Sequence, residues 1–384
     1  MPNFPSKLEK KLQKRRAENA FRELPKSHRL VDFSSNDYLG LGQCDWIVTK
    51  AESLLESRQI QQHAATGSRL LTGNHQLYDE LEDFLSKYYT SDAALVFNSG
   101  YDANIGFLSS VPQKGDLILY DELIHASIRE GISMSNAKSY KFAHNDLKSL
   151  RSKVNTLLET QSRSDDQEVY VVTESVFSMD GDSPNLKSLA DFCSEQGFHL
   201  IVDEAHAIGV FEKGLVDKLE ITNKIFARII TFGKALGSHG AAVLGSKPLK
   251  DYLVNFARSL IYTTAMPPHA LAIILASYSF LEDEGAKRQK QLHYNIDFFK
   301  KELQRLNLAS FFLGSDSAIH CMLMPGNQKV KELSRILYKE GYDVKPILSP
   351  TVKEGEERLR FCLHSHNSEK EISKVLLLIK EQLE

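Results

Sequence analysis

From about residue 90 the chain alternates short apolar runs with stretches of helical spacing. ALVF (94–97), DLILY (116–120), EVYVVTE (168–174), HLIVD (199–203), RIITF (228–232) and AAVLG (241–245) are mostly apolar, the pattern of strands covered on both faces. Strands alternating with helices predict a mainly parallel sheet joined by right-handed crossovers, an α/β class. Upstream, Leu8, Leu12, Ala20, Phe21 and Leu24 fall roughly on one face among Lys, Arg and Glu, which predicts a helix over 6–24. The Gly-rich ATGSRLLTGNH then leads into a second helix marked by Leu77, Leu81 and Phe84. After residue 250 the period changes. MPPHALAIILASYSFLEDEG and the Lys- and Gln-rich stretch behind it predict long helices, followed by strands near 318–324 and 357–363 and a helix over 368–383. The expected organisation is an N-terminal helix and arm (1–40), a large domain (41–250), and a linking helix with a small C-terminal domain (251–384). The domain boundary is expected near 245–270.

Composition narrows the function classes. A chain of 384 residues buries a large core, and a net charge of −3 gives no electrostatic case for nucleic acid or membrane surfaces. No apolar run approaches the ~20 residues of a membrane span. The charged N-terminal stretch has no apolar segment of signal-peptide type. Cys44, Cys193, Cys321 and Cys362 are scattered without CxxC spacing, so free thiols in a reducing cytoplasm are expected and no metal site is.

The chemistry gathers where strands should stop. The run Leu200, Ile201, Val202 ends in Asp203, with His206 three residues on; Ile229 and Ile230 end in Thr231, with Lys234 set among small residues in TFGKALG. Ligands of open parallel sheets sit at such strand ends. A carboxylate, an imidazole and a lone amine suit pyridoxal 5′-phosphate (PLP), which needs a Schiff-base lysine and an acidic partner for its ring nitrogen. VDEAH also spells a helicase box. That alternative requires Gly-x-x-x-x-Gly-Lys-Ser/Thr, and GAAVLGSK (240–247) has Ser and Lys in the wrong order.

Other positions have competing readings. Ser99 and Gly100 in NSGYDANIG open a helix whose free N–H groups suit a phosphate, or form an ordinary strand–helix turn. His125, just beyond DLILY, either stacks on a flat ring or caps a helix. Ser178 and Asp180 follow a long strand, and Thr263 and Thr264 are adjacent hydroxyls within reach of a phosphate. Arg358 and Arg360 share one face of an apolar strand, and Arg360 is a candidate clamp for a carboxylate. Arg15, Arg16 and Arg22 read from composition as a solvated basic face.

FSSNDYLGLG, GSRLLTGNH, NSGYDAN, HASIREG, SVFSMDGD, VDEAHAIG, TFGKALG, IYTTAMPP and PTVKEGEERLR occur in this order. Together they resemble the α-oxoamine synthase family of fold-type I PLP enzymes over nearly the whole chain. The resemblance implies a large domain with a mainly parallel seven-stranded sheet plus a smaller α+β C-terminal domain. It implies a homodimer with shared active sites that condenses a small amino acid with an acyl-CoA or acyl-carrier protein, releasing carbon dioxide. Lys234 would hold the cofactor and act as base; Asp203 would partner the ring nitrogen, His206 the phenolic oxygen, and His125 the ring face. Ser178 and Thr231 would be cofactor contacts, Ser99, Gly100 and Tyr101 the phosphate-side turn, and Thr263 or Thr264 a phosphate contact across the dimer. Arg360 with Asn36 would hold the amino-acid carboxylate, and Arg22 the far carboxylate of the acyl chain. Thr351 keeps its place in the family pattern, but Leu348 and Ser349 stand where Arg and Pro are usual. L-Alanine with a pimeloyl donor is the expected pair. Glycine with an acetyl donor, towards which SIREGI leans, and a plain aminotransferase are the alternatives.

Overall fold

The computed structural model describes residues 4–24, 30–160 and 166–384. The chain forms two compact units. One comprises Asp37–Ser178 and Ser183–Lys290; the other comprises the described residues of Met1–Asn36 with Met179–Asp182 and Gln291–Glu384.

The larger unit is built on seven strands: β1 (Ala93–Phe97), β2 (Leu117–Asp121), β3 (Lys138–Phe142), β4 (Val169–Glu174), β5 (His199–Asp203), β6 (Ala227–Thr231) and β7 (Ala241–Gly245). They pair in the order β1-β7-β6-β5-β4-β2-β3. Only β7 runs against its neighbours; the other pairings are parallel. All six expected runs form strands. Their apolar continuity has a direct cause: successive side chains point to opposite faces, and both faces are covered. On β5, Leu200 and Val202 join the cluster of Val171, Leu189 and Phe192, while Ile201 joins that of Phe107, Ile128 and Val172 on the other side. Each wholly buried side chain of this size contributes about 2 kcal/mol.

The seventh strand, β3, is absent from the apolar pattern. KSYKF lies at the sheet's edge, paired only with β2, and Lys138, Ser139 and Lys141 are exposed. Polar edge residues discourage further strand pairing and also erase the sequence signal.

The smaller unit has an antiparallel sheet of Lys345–Ile347, Arg358–Cys362 and Ile319–Leu323, with Arg358–Cys362 in the middle. Val31–Asp32 pairs with Tyr342–Asp343 in parallel. The helix Glu369–Leu383 starts at a capping box in which Ser368 and Glu371 satisfy each other's backbone N–H groups. The expected long helices after residue 268 are one helix, Pro268–Arg305, whose first part belongs to one unit and whose remainder belongs to the other.

The first helix corrects the expectation of 6–24, for it spans Ser6–Ala17. Asn19 takes a left-handed φ of 53°, and the N–H groups of Asn19 and Ala20 turn back to Arg16 and Arg15. Asn tolerates this conformation and so terminates the helix. Leu24, counted on the apolar face, is 95% exposed. Cys44, Cys193, Cys321 and Cys362 are free thiols. Among the described residues no helix is long and apolar enough to cross a membrane.

Candidate active site

The carboxyl ends of β4, β5 and β6 deliver the polar groups. Asp203 closes β5 and is 6% exposed. Its Oδ1 accepts the Ala205 N–H at 2.9 Å, and its Oδ2 accepts Asn104 Nδ2 at 2.9 Å. No lysine, arginine or histidine among the described residues forms an ion pair with it. A buried carboxylate served only by neutral donors is costly unless a cation arrives. This donor set fits a ligand that brings a protonated ring nitrogen, and so fits PLP.

Lys234 stands on the turn after β6, with Nζ 2.7 Å from His206 Nε2. The other ring nitrogen of His206, Nδ1, lies 2.7 Å from the Tyr38 hydroxyl. Tyr38 and His206 are both buried. Either Nδ1–H donates to Tyr38 while the ammonium donates to Nε2, or the Tyr38 O–H donates to Nδ1 and Nε2–H points at a neutral amine. In both arrangements a proton lies between Lys234 and His206. Sequence reasoning missed Tyr38, which reads as one apolar residue of NDYLGLG. The turn that presents it is tied by Asp37, whose carboxylate accepts the Leu41 and Gly42 N–H groups.

The Lys234 turn closes through Gly237, whose N–H donates to the Lys234 carbonyl at 2.8 Å. Gly237 has φ +59°, and a Cβ there would stand 2.2 Å from Gly42 N. Only glycine allows this approach. Thr231 is buried, and its hydroxyl donates to the Gly240 carbonyl at 3.0 Å while accepting the Gly233 N–H at 3.3 Å. It braces the lysine turn.

His125 caps the helix Ala126–Met134 with its side chain. Its Nδ1 lies 2.7 Å from Ser127 Oγ, and Ser127 Oγ in turn accepts Asn104 Nδ2 at 3.0 Å. One amide thus joins the histidine cap to Asp203. The surrounding protein lowers the His125 pKa by desolvation, helped by Lys234 and opposed by Asp203 and Glu130. A neutral ring is favoured there. The capping reading of His125 holds, and the cap is joined to the same network as Asp203.

The phosphate-side candidates surround the start of the helix Gly100–Ser110. Ser99 is its N-cap, accepting the Asp102 N–H at 3.0 Å and donating to the Asp102 carboxylate at 2.8 Å. Asn98 Nδ2 donates to Thr263 Oγ1 at 3.1 Å and to the Thr264 carbonyl at 2.7 Å, which brings that pair beside the helix start. Tyr101 is exposed and its hydroxyl donates to Glu130. Ser178 is buried beyond β4.

The remaining candidates belong to the smaller unit. Arg360 is 8% exposed, and its Nη2 donates to Asn36 Oδ1 at 3.0 Å. Arg358, on the same face, pairs with Asp180 and donates through Nε to the Glu356 carbonyl. Arg22 and Thr351, 329 positions apart, meet through a 3.1 Å hydrogen bond from Nη2 to Oγ1.

A family model for class I and II aminotransferases matches residues 28–377. This chain belongs to that family. A relative named 8-amino-7-oxononanoate synthase, from Emericella nidulans, is 39% identical over 369 residues, 92% of this chain and 89% of that protein. The solved structure of 8-amino-7-oxononanoate synthase from Francisella tularensis is 28% identical, with a TM-score of 0.75, covering 92% of this chain and 98% of that one. Serine palmitoyltransferase from S. paucimobilis superposes with a TM-score of 0.87 over 99% of this chain and 98% of that one; at 24% identity it bears on the fold alone. Within the class I and II family the chain is an α-oxoamine synthase with the fold-type I architecture, a PLP-dependent acyltransferase.

Proposed function

We propose that this α-oxoamine synthase joins L-alanine to a pimeloyl thioester, giving 8-amino-7-oxononanoate, carbon dioxide and the free thiol of CoA or a carrier protein. It would work as a homodimer in the cytoplasm, serving biotin synthesis. The observation that carries the reading is the pairing of Lys234 Nζ with His206 at 2.7 Å, close in sequence to a buried Asp203 that forms no ion pair among the described residues.

Lys234, Asp203, His206, His125, Ser178 and Thr231 would hold PLP, with its phosphate at Ser99, Gly100 and Tyr101 and, across the dimer, at Thr263 or Thr264. Bound there, PLP supplies an electron-accepting ring that lets the amino acid lose a Cα substituent. Asp203 keeps a proton on the ring nitrogen and so sustains that capacity. His206 would hydrogen-bond the phenolic oxygen, and Tyr38 holds the imidazole in place from its other ring nitrogen. Lys234 takes the proton from the alanine Cα and later returns one, with His206 as its neighbouring relay. The His125 ring covers the face where the thioester approaches. Arg360, oriented by Asn36, binds the alanine carboxylate until it departs as carbon dioxide. Arg22, held by Thr351, reads the distal carboxylate of the pimeloyl chain.

The test is thiol release by PLP-loaded enzyme with alanine or glycine, each paired with pimeloyl-CoA or acetyl-CoA. Release with alanine and pimeloyl-CoA alone is the expected result. Release confined to glycine and acetyl-CoA would keep the chemistry and overturn the substrate assignment.

A further inference from the structure

Glu174 has no part in the chemistry set out above. It closes β4, is 3% exposed, and pairs in register with Asp203 on β5. Its Oε1 accepts the backbone N–H of His125 at 2.6 Å. His125 is the cap of its helix, so this contact sets where the helix begins and where the imidazole emerges. Hydrogen bonds then run from His125 to the residue in register with Glu174. His125 meets Ser127, Ser127 meets Asn104, Asn104 donates to Asp203, and Asp203 stands beside Glu174 on the neighbouring strand.

The groups acting on Glu174 are Asp203 on β5, Asp121 at the end of β2, Lys234 from the turn after β6, and the backbone N–H of His125. Burial and then Asp203 push its carboxyl up to about 8, against the opposing pull of Lys234 and the His125 N–H. Two adjacent buried carboxylates do not both ionise near neutral pH.

We propose that Glu174 is a positioning residue: its carboxyl oxygen fixes the His125 backbone N–H and with it the point where the imidazole emerges from the helix cap. Removal of the side chain would free the His125 cap, so its effect is on geometry. This rests on the proposed placement of the cofactor between His125 and Asp203.

The experiment compares holoenzyme of the wild type with Glu174→Gln and Glu174→Ala. Gln keeps the oxygen acceptor and mimics the neutral acid. The visible circular dichroism of the bound cofactor, which reports the groups packed around it, should be kept in Glu174→Gln and altered in Glu174→Ala. At pH 7 Glu174→Gln should retain kcat within about threefold, while Glu174→Ala loses roughly ten- to hundredfold. Wild-type cofactor dichroism and kcat in Glu174→Ala would overturn the proposal. If Glu174→Ala does not fold, Glu174→Gln decides, since altered cofactor dichroism or a kcat loss well beyond threefold there would equally overturn it. Wild-type protein that fails to bind PLP would instead overturn the function reading.

Discussion

The strand-end cluster of the larger unit and the arginine cluster of the smaller unit are held in different ways. In the first, Asp203, Asn104 and Ser127 are buried and their contacts interlock, so a displaced group disturbs several others. In the second, Arg360 is buried and held by Asn36, but Arg22 and Thr351 are exposed and meet through one hydrogen bond. Interlocked buried networks fix geometry, whereas single exposed contacts are weak and replaceable. The proposed chemistry accordingly lies in the rigid cluster, and the choice of acyl chain in the looser one.

Substitutions should separate the two. The largest effect is expected for Asp203→Asn, which keeps the shape and removes the charge: kcat should fall by roughly 10²- to 10³-fold, with little change in KM for alanine. Arg360→Lys exchanges a fork for a point charge and should raise KM for the amino acid by about tenfold, leaving the cofactor spectrum unchanged. Arg22→Ala should raise KM for a pimeloyl donor several-fold and barely alter that for an acetyl donor. Equal effects on both donors would place Arg22 outside acyl recognition.

The smallest effects concern stability, and the two units should respond to pH with opposite sign. His320 of the smaller unit is 2% exposed, packed against Phe299, and pushed down to about 4, first by burial and then by Lys300. The unfolded chain takes up this proton near pH 6.5 and the folded chain does not, so its contribution is full above that value and is lost as pH falls towards about 4. Glu174 of the larger unit, raised to about 8, behaves in the opposite way. Between about 4.5 and 8 the folded chain holds a proton that the unfolded chain has released, so stability falls as pH rises through that window. His320→Leu should flatten the acid side of the Tm profile, and Glu174→Gln the alkaline side. Matching Tm profiles in wild type and variants would contradict both assignments.

Much of this was legible in the sequence, for identifiable reasons. Both-face burial made the strands of the sheet continuous apolar runs, and the polar residues that stop them, Asp203 and Thr231, marked the site. The polar edge strand β3 carried no such mark. The end of the first helix was hidden because Asn19 reads equally well as a polar helix residue until its left-handed φ is seen. The second layer of the site was hidden too. Tyr38, Asn104, Ser127 and Glu174 lie 168, 99, 2 and 49 positions from the residues they hold, and all but Ser127 act through contacts that only the fold creates.

The central claim is that Lys234, beside His206, is the residue that carries the cofactor. Borohydride reduction of PLP-loaded enzyme followed by peptide mapping tests it directly. The account expects one stable pyridoxyl group, on Lys234, and none in Lys234→Ala. A stable adduct on another lysine of the wild type, or none at all, would contradict it.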